Sequence, residues 1–198
     1  VCNFFELLAQ RDREFFNRPV LDFTAPSARA ALEQMVSLVR RNNMAPPDVV
    51  DFDENMSYNY MLEHNAMFVR GWPNFLENFS KTYSDTAKLS LVGRAALPHI
   101  SGKNPASVFG GWNVMISRYS SKKTEALEFV RFLQTKEAQE TLFEAGGYIP
   151  VNGEVYEDRE FMARHPDLLY YRQLLNSGFH RPSLVDYTRI SDIISHYV

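Results

Sequence analysis

The stretch from Ser107 to Gln134 constrains the fold of this chain more than any other part of the sequence. Its glycine pair, Gly110-Gly111, lacks Cβ atoms, so the backbone there can adopt unusual angles or let another group approach closely. Trp112 follows at once, and the apolar run VMIS behind it predicts a short strand. A helical pattern then begins after a serine pair that can cap it. This unit, which presents a tryptophan, indicates a binding surface more than a catalytic centre.

The rest of the sequence alternates helical patterns with short apolar runs, which predicts an α/β protein in which helices dominate. Further helices are predicted at residues 2–9, 27–43, 54–63, 74–79, 136–146, 157–164, 166–176 and 188–198. Short strands are predicted at residues 20–23, 66–70, 89–98 and 114–117. Asp51 or Asp53 is expected to cap one helix, and Thr135 is expected to cap another that Gly146-Gly147 ends.

Charge and apolar content argue against two classes of partner. The net charge is -3 and the basic residues are scattered, so the sequence predicts no nucleic-acid partner. No apolar run approaches the roughly 20 residues that a membrane-spanning helix needs. Cys2 is the only cysteine, which excludes an intrachain disulfide but does not fix the redox compartment.

The sequence carries no recognisable catalytic or metal-binding pattern. Its 5 histidines are dispersed, and no pair has the spacing of a metal site on a helix. The acidic pairs Asp51/Asp53 and Glu157/Asp158 lie where helices begin, and carboxylates there satisfy free N–H groups. No nucleophile elbow, phosphate-binding loop or dinucleotide fingerprint is present. We therefore predict no catalytic residues, no cofactor and no metal.

Both tryptophans stand at predicted strand ends, directly after a glycine and near polar residues. Trp72 is followed closely by Asn74, and Trp112 is followed by Asn113. A core tryptophan usually lies within an apolar run, whereas ligand pockets combine aromatic rings with a few placed polar groups. Sugars fit such a surface, because their C–H faces lie flat on aromatic rings while their hydroxyls need directional partners.

Arg181 is the basic residue best suited to such a ligand. Its guanidinium group carries several donors in a fixed fork that can bridge two sugar hydroxyls. A surface ion pair with Asp186 is the alternative interpretation, and the sequence does not choose between the two.

Taken together, these segments resemble a known family. The run GGWNVMISRYSSKKTEALEFVRFLQTKEAQETLFEAGGYIPVNGEVYED is similar to the C-terminal half of family 1 extracellular solute-binding proteins of ABC importers. It is similar in particular to members that bind maltose, trehalose and related oligosaccharides. The segments SARAALEQMVSLVRRNNMAPPDVVDFDE, FVRGWPNF and HRPSLVDYTRISDII extend the resemblance over nearly the whole chain, in the family's order.

The resemblance implies a periplasmic-binding-protein-like (type II) fold, in which two α/β lobes close like a hinge over one sugar. Because the family runs to about twice this length, the chain is expected to be a helix-rich C-terminal fragment. Residues 1–85 and 135–198 would be parts of the C-terminal lobe. Residues 86–134 would be a strand–helix segment of the N-terminal lobe, whose strands are expected to have unpaired edges.

The resemblance also implies roles for individual residues. Trp72 is expected to stack on a sugar ring, Trp112 to line the cleft, Gly111 to offer backbone polar groups and Arg181 to bind hydroxyls. Asn74 and Asn113 are the neighbouring polar candidates. Close relatives often carry an aromatic residue at the position of Asn74, so the identity of the sugar stays open.

The leading hypothesis is the substrate-binding component of an ABC transporter, which binds an oligosaccharide such as maltose or trehalose and delivers it to permease transmembrane subunits. It would be periplasmic or extracellular, with a lipid anchor or the permease as its membrane contact and a signal segment outside this chain. A carbohydrate-processing enzyme is one alternative, and it would need two carboxylates roughly 5–10 Å apart across an aromatic-lined cleft. A helical module whose tryptophans anchor a partner protein is the other.

Overall fold

The computed structural model describes residues 1–81, 83–103 and 105–198, with the side chains of residues 77 and 78 excepted. The chain folds into α-helices joined by turns and extended segments. The helices are α1 (Cys2–Arg11), α2 (Pro26–Arg40), α3 (Glu54–His64), α4 (Phe75–Phe79), α5 (Thr86–Leu89), α6 (Lys123–Leu133), α7 (Lys136–Gly146), α8 (Arg159–Arg164), α9 (Asp167–Ser177) and α10 (Tyr187–Tyr197). Short 3-10 turns lie at Phe15–Asn17, Pro47–Asp51 and Gly153–Glu157. In the described parts of the chain, no helix is long and apolar enough to cross a bilayer.

The helices and loops divide between two compact units. Unit 1 contains Val1–Arg70, Ala95–Phe109 and Ser177–Val198, and unit 2 contains Gly71–Arg94 and Gly110–Asn176. These bounds differ from the predicted segment 86–134, and the assignment of that segment to a lobe stays a prediction.

The core of unit 1 forms where α1 packs against α2. Phe5 and Leu8 of α1 are completely buried, and they face the small side chains Ala28 and Ala31 of α2, which are buried as well. Alanines at this contact allow close packing of large side chains from the neighbouring helix, which buries apolar area and stabilises the fold.

The core of unit 2 is built by α7, α8, α9 and the turn that precedes α8. Its centre contains the fully buried residues Val155, Leu168 and Tyr171, with Phe143 and Phe161 against them. The Tyr171 and Phe143 rings lie 6.4 Å apart in an edge-on arrangement, which is a favoured geometry for aromatic pairs.

Most helix ends that depend on local signals agree with the sequence prediction. The Asp53 side chain accepts a hydrogen bond from the Met56 amide at the start of α3. The Thr135 side chain caps α7 through the Ala138 amide, and Gly147 ends that helix in the left-handed region with φ of 67°. These caps are confirmed.

The predicted serine cap of α6 is wrong. Lys122 occupies the N-cap position and makes no side-chain capping bond. Ser120 lies in a turn in which its amide bonds to the Ser117 carbonyl, and its hydroxyl accepts from the Lys122 amide at 3.1 Å. The serine oxygen therefore stabilises the turn before the helix and does not reach the first helical amides.

The predicted strands at residues 20–23, 66–70, 89–98 and 114–117 are also wrong for the described chain, and α5 includes Leu89. A strand needs a neighbour that pairs with its backbone, and these segments have no such neighbour among the described residues. The strand-like pairing that does occur is a parallel bridge between Val108 and Phe179. It is held by two hydrogen bonds of 2.9 Å, from the Phe109 amide to Phe179 and from the Phe179 amide to Ser107.

The segment of the chain from Gly110 to α6 lies open to solvent. Met115 is 88% exposed, and Phe129 and Phe132 of α6 are 58% and 51% exposed. None of the residues of α6 is buried within the described structure. The predicted helix is confirmed, but its apolar residues pack on nothing extensive in unit 2.

Candidate functional site

The two glycine–tryptophan segments of the sequence meet in unit 2. A Cβ atom placed on Gly110 would lie 2.4 Å from Cη2 and 2.8 Å from Cζ3 of Trp72, far inside van der Waals contact. The outer edge of the half-buried indole ring therefore lies directly on the Gly110 backbone, which only a residue without a side chain permits. Residues 38 positions apart in sequence are thus brought into one contact.

Gly111 and Trp112 differ from Gly110 in their surroundings. A Cβ atom on Gly111 would meet nothing within 4 Å. Trp112 is 87% exposed, and Asn113 beside it is exposed as well. The backbone of Gly111, the Trp112 ring and the Asn113 amide are therefore all accessible to a ligand.

The turn that carries Trp72 is hydrogen-bonded to the core of unit 2. The carbonyl of the next residue, Pro73, accepts hydrogen bonds from the Tyr171 hydroxyl at 3.3 Å and from Nη1 of Arg94 at 3.4 Å. Arg94 also pairs with Asp167 at 2.8 Å, and its guanidinium lies 5.5 Å from the centre of the Tyr171 ring. Since Tyr171 is completely buried, these bonds attach the turn that carries Trp72 to the core of the unit.

Asn74 makes a structural contact of its own in the same turn. Its Nδ2 donates a hydrogen bond of 2.9 Å to the carbonyl of Gly147, the residue that ends α7. This bond links the start of α4 to the end of α7. The contact between Asn74 and a ligand stays a prediction.

Arg181 belongs to unit 1, whereas the other predicted ligand-binding residues belong to unit 2. Its exposed guanidinium lies 5.5 Å from the centre of the Tyr187 ring, and Nη1 donates to the Tyr187 hydroxyl at 3.4 Å. The ion pair with Asp186 is not among those formed by the described residues.

Sequence reasoning missed a buried ion pair in unit 1. Arg70 donates to Glu6 through Nε at 3.1 Å and through Nη2 at 2.8 Å, and the Glu6 side chain is only 5% exposed. Burial disfavours the charged form of Arg70, but the hydrogen bonds and charge of Glu6 outweigh it and raise the pKa of the guanidinium. The available signal was a glutamate inside the apolar run CNFFELLA, since a charge on the buried face of a helix needs a partner.

Two concave surfaces of the described chain are lined by residues other than the tryptophans. One is an open apolar groove of about 470 Å³ in unit 1, lined by Pro19, Val20, Leu21, Phe23, Leu184, Ile190, Ile193 and Ile194. A smaller cavity of about 250 Å³ in unit 2 lies beside Glu144, Arg164 and His165. The apolar groove offers few partners for sugar hydroxyls. Across the described residues, no cluster of three or more His, Cys, Asp or Glu side chains could hold a metal ion.

Comparison with known proteins gives three concordant matches. Residues 20–168 match the family model of the bacterial extracellular solute-binding proteins. A probable ABC transporter-binding protein of Deinococcus radiodurans is 28% identical over 176 residues, which are 87% of this chain and 41% of that protein. The maltose-bound MalE3 of T. maritima superposes with a TM-score of 0.86 at 26% identity, over 99% of this chain and 50% of that one. The chain spans about half the length of the proteins that it matches.

Proposed function

Because this chain belongs to the bacterial extracellular solute-binding proteins, we propose that it is part of the substrate-binding component of an ABC transporter that imports an oligosaccharide. The periplasmic-binding-protein-like fold is confirmed, since nearly the whole chain superposes on half of a solute-binding protein. The ligand, the permease and the location of the whole protein belong to the proposal. Maltose is the first ligand to test, because the superposed protein contains it.

The contact between Trp72 and Gly110 is the observation that carries the proposal. It places the Trp72 ring on the backbone of Gly110, two residues before the exposed ring of Trp112 in the same unit. A flat, preorganised ring suits the C–H face of a sugar, because little side-chain entropy is lost on binding. Accessible amides beside it suit the hydroxyls at the rim of that sugar.

We assign the predicted roles accordingly. Trp72 stacks on a sugar ring, Trp112 lines the binding surface, and the backbone of Gly111 and the Asn113 amide supply polar contacts. Asn74 contributes its side-chain oxygen and its second amide N–H, since its first N–H bonds to Gly147. Arg181 donates to sugar hydroxyls, with Tyr187 supporting its guanidinium group.

The proposed mechanism is binding without chemistry. A ligand that contacts both lobes of the full-length protein favours the closed state over the open state, and a permease of the transporter then receives the ligand from that closed state. Transport into the cell requires a periplasmic or extracellular location, reached through a signal segment and retained by a lipid anchor or by the permease.

Residues 86–134 are proposed to belong to the N-terminal lobe of the full-length protein. The exposure of Met115, Phe129 and Phe132 supports this assignment, because several large apolar side chains exposed in one segment are often buried against another part of a protein. The extended segments at 92–97 and 114–117 would find strand partners in that lobe.

Titration calorimetry of the full-length protein against a panel of disaccharides that includes maltose and trehalose tests this function. We expect saturable binding of at least one sugar, and chromatography of the recovered sugar should show it intact. Cleavage of the sugar would establish a carbohydrate-processing enzyme instead. No heat with any sugar would favour a module whose tryptophans bind a protein.

The two glycines before Trp112 offer a matched pair of substitutions. Gly110→Ala is expected to weaken maltose binding about tenfold, because the new Cβ displaces the Trp72 ring. The ring can move away, so the free energy of unfolding should change little. Gly111→Ala adds the same methyl group where nothing lies within 4 Å, and its dissociation constant should stay within about twofold of the wild-type value. Equal effects of the two substitutions on calorimetric affinity would contradict the role given to the Trp72–Gly110 contact.

A further inference from the structure

A single buried carboxylate in unit 1 joins two segments that carry the proposed ligand-binding residues. Oε1 of Glu6 accepts hydrogen bonds from Nη2 of Arg70 at 2.8 Å and from the backbone amide of Val108 at 3.1 Å. Oε2 accepts from Nε of Arg70 at 3.1 Å. Glu6 is therefore bonded at both oxygens, with one partner in each of two segments that are remote in sequence.

Both segments lead directly into the proposed binding surface. Arg70 is followed by Gly71 and Trp72, and Val108 is followed by Phe109 and then Gly110. The same two segments touch again within unit 2, where the Trp72 ring lies on Gly110. The two segments are thus joined within unit 1 by the Glu6 carboxylate and joined within unit 2 by the indole contact.

A third segment is attached to the second. Phe179 forms the parallel bridge with Val108, and Arg181 follows it by two residues. A Cβ atom on Gly178 would lie 2.4 Å from the Phe109 ring, so this pairing also depends on a close contact that only glycine allows. The hydrogen bond between Glu6 and Val108 therefore helps to position the segment that carries Arg181 within unit 1.

We propose that Glu6 is a positioning residue for ligand binding, because its bonds to Arg70 and Val108 fix the register of the segments that carry Trp72, Trp112 and Arg181. This inference rests on the proposed function for its ligand, but its geometry is independent of the sugar. Buried ion pairs often stabilise a fold no more than an apolar pair of similar size does. An apolar pair could fill the same space, but it could not bond a guanidinium and a backbone amide at once.

The test compares paired substitutions in the full-length protein. Glu6→Met with Arg70→Met removes both charges together and leaves neither buried alone. The double variant Glu6→Gln with Arg70→Met is closer in shape to the wild-type pair and keeps an oxygen that can accept from the Val108 amide. It therefore replaces the first double variant in the test if that variant does not fold. The matched control is Glu144→Met with Arg164→Met, since that Glu–Arg pair, 3.0 Å apart in unit 2, is exposed and bonds to none of the three segments.

Two measurements are made on each variant. Maltose titration should show a dissociation constant raised at least about tenfold for the Glu6/Arg70 methionine pair, less for the glutamine variant, and within about twofold for the control. Fluorine NMR of fluorotryptophan-labelled protein without ligand, with the Trp72 signal assigned by its loss in Trp72→Phe, should show that signal shifted by the Glu6 variants and not by the control.

The two measurements separate failure of this inference from failure of the proposed function. If the wild-type protein does not bind maltose or any other disaccharide, the proposed function fails, and the ligand-free Trp72 signal alone decides the role of Glu6. An unshifted Trp72 signal together with unchanged affinity in the Glu6 variants would overturn the inference. A Trp72 signal that shifts in the Glu6 variants and not in the control variant would support it.

Discussion

Replacing Trp72 with alanine is expected to weaken maltose binding about thirtyfold or more. Aromatic anchors at the centre of a binding surface commonly contribute about 2 kcal/mol or more, which corresponds to this factor. Trp72 fits that role because its ring lies on Gly110 and its turn is bonded through Pro73 to Tyr171 in the core. A preorganised ring loses little freedom on binding, so its removal costs affinity that no neighbouring side chain restores.

Calorimetric titration of Trp72→Ala and Trp112→Ala measures this effect. Trp112→Ala should also weaken binding, but with no loss of folding stability, because the ring is 87% exposed and packs on little in unit 2. Tyr197→Ala is the control, since Tyr197 is an exposed aromatic residue on α10, far from both tryptophans in sequence. Wild-type affinity in both tryptophan variants would show that the binding surface has been assigned to the wrong residues.

The second large effect concerns the ion pair between Glu6 and Arg70. Replacing Arg70 alone with methionine is expected to lower the free energy of unfolding by about 3–5 kcal/mol, because the Glu6 carboxylate, which is only 5% exposed, then stays buried without that guanidinium. Replacing Glu6 alone should also lower it, because the partly exposed Arg70 loses its bonds to the carboxylate. Replacing both should cost much less, since neither charge is then left behind. The difference between the summed single losses and the double loss measures the coupling between the two side chains.

Urea denaturation of the wild-type protein, the two single variants and the double variant provides these values. The single variants should unfold at clearly lower urea concentrations than the double variant. If the loss in the double variant instead equals the sum of the two single losses, Glu6 and Arg70 do not depend on each other in the folded protein. The account of a shared carboxylate would then be wrong.

The helices could be predicted from sequence because their signals are local. Asp53, Thr135 and Gly147 act within a few residues of the helix ends that they define, so their roles are visible without any knowledge of the fold. The serine cap predicted for α6 was wrong for an equally local reason, because the Ser120 hydroxyl bonds inside the preceding turn.

The strands could not be predicted in the same way, because a strand is completed by a distant partner. The apolar runs at 66–70 and 114–117 have the composition of strands, but no backbone in the described chain pairs with them. Conversely, the bridge between Val108 and Phe179 joins residues far apart in sequence, and neither segment has a strong strand pattern.

The candidate site shows the same division between local and distant information. The residue types were visible in sequence, since both tryptophans follow glycine. The contact of Trp72 with Gly110, and the joining of Arg70 and Val108 by Glu6, follow only from the folded chain. The resemblance to solute-binding proteins is confirmed by the family match, whereas the roles of the individual residues stay predictions.

Titration of the full-length protein with maltose, followed by analysis of the recovered sugar, tests the central claim most directly. The account predicts saturable binding to one site, a marked loss of affinity in Trp72→Ala, and maltose recovered without cleavage. Binding of maltose that is unaffected by the loss of Trp72, or its conversion to glucose, would contradict the account.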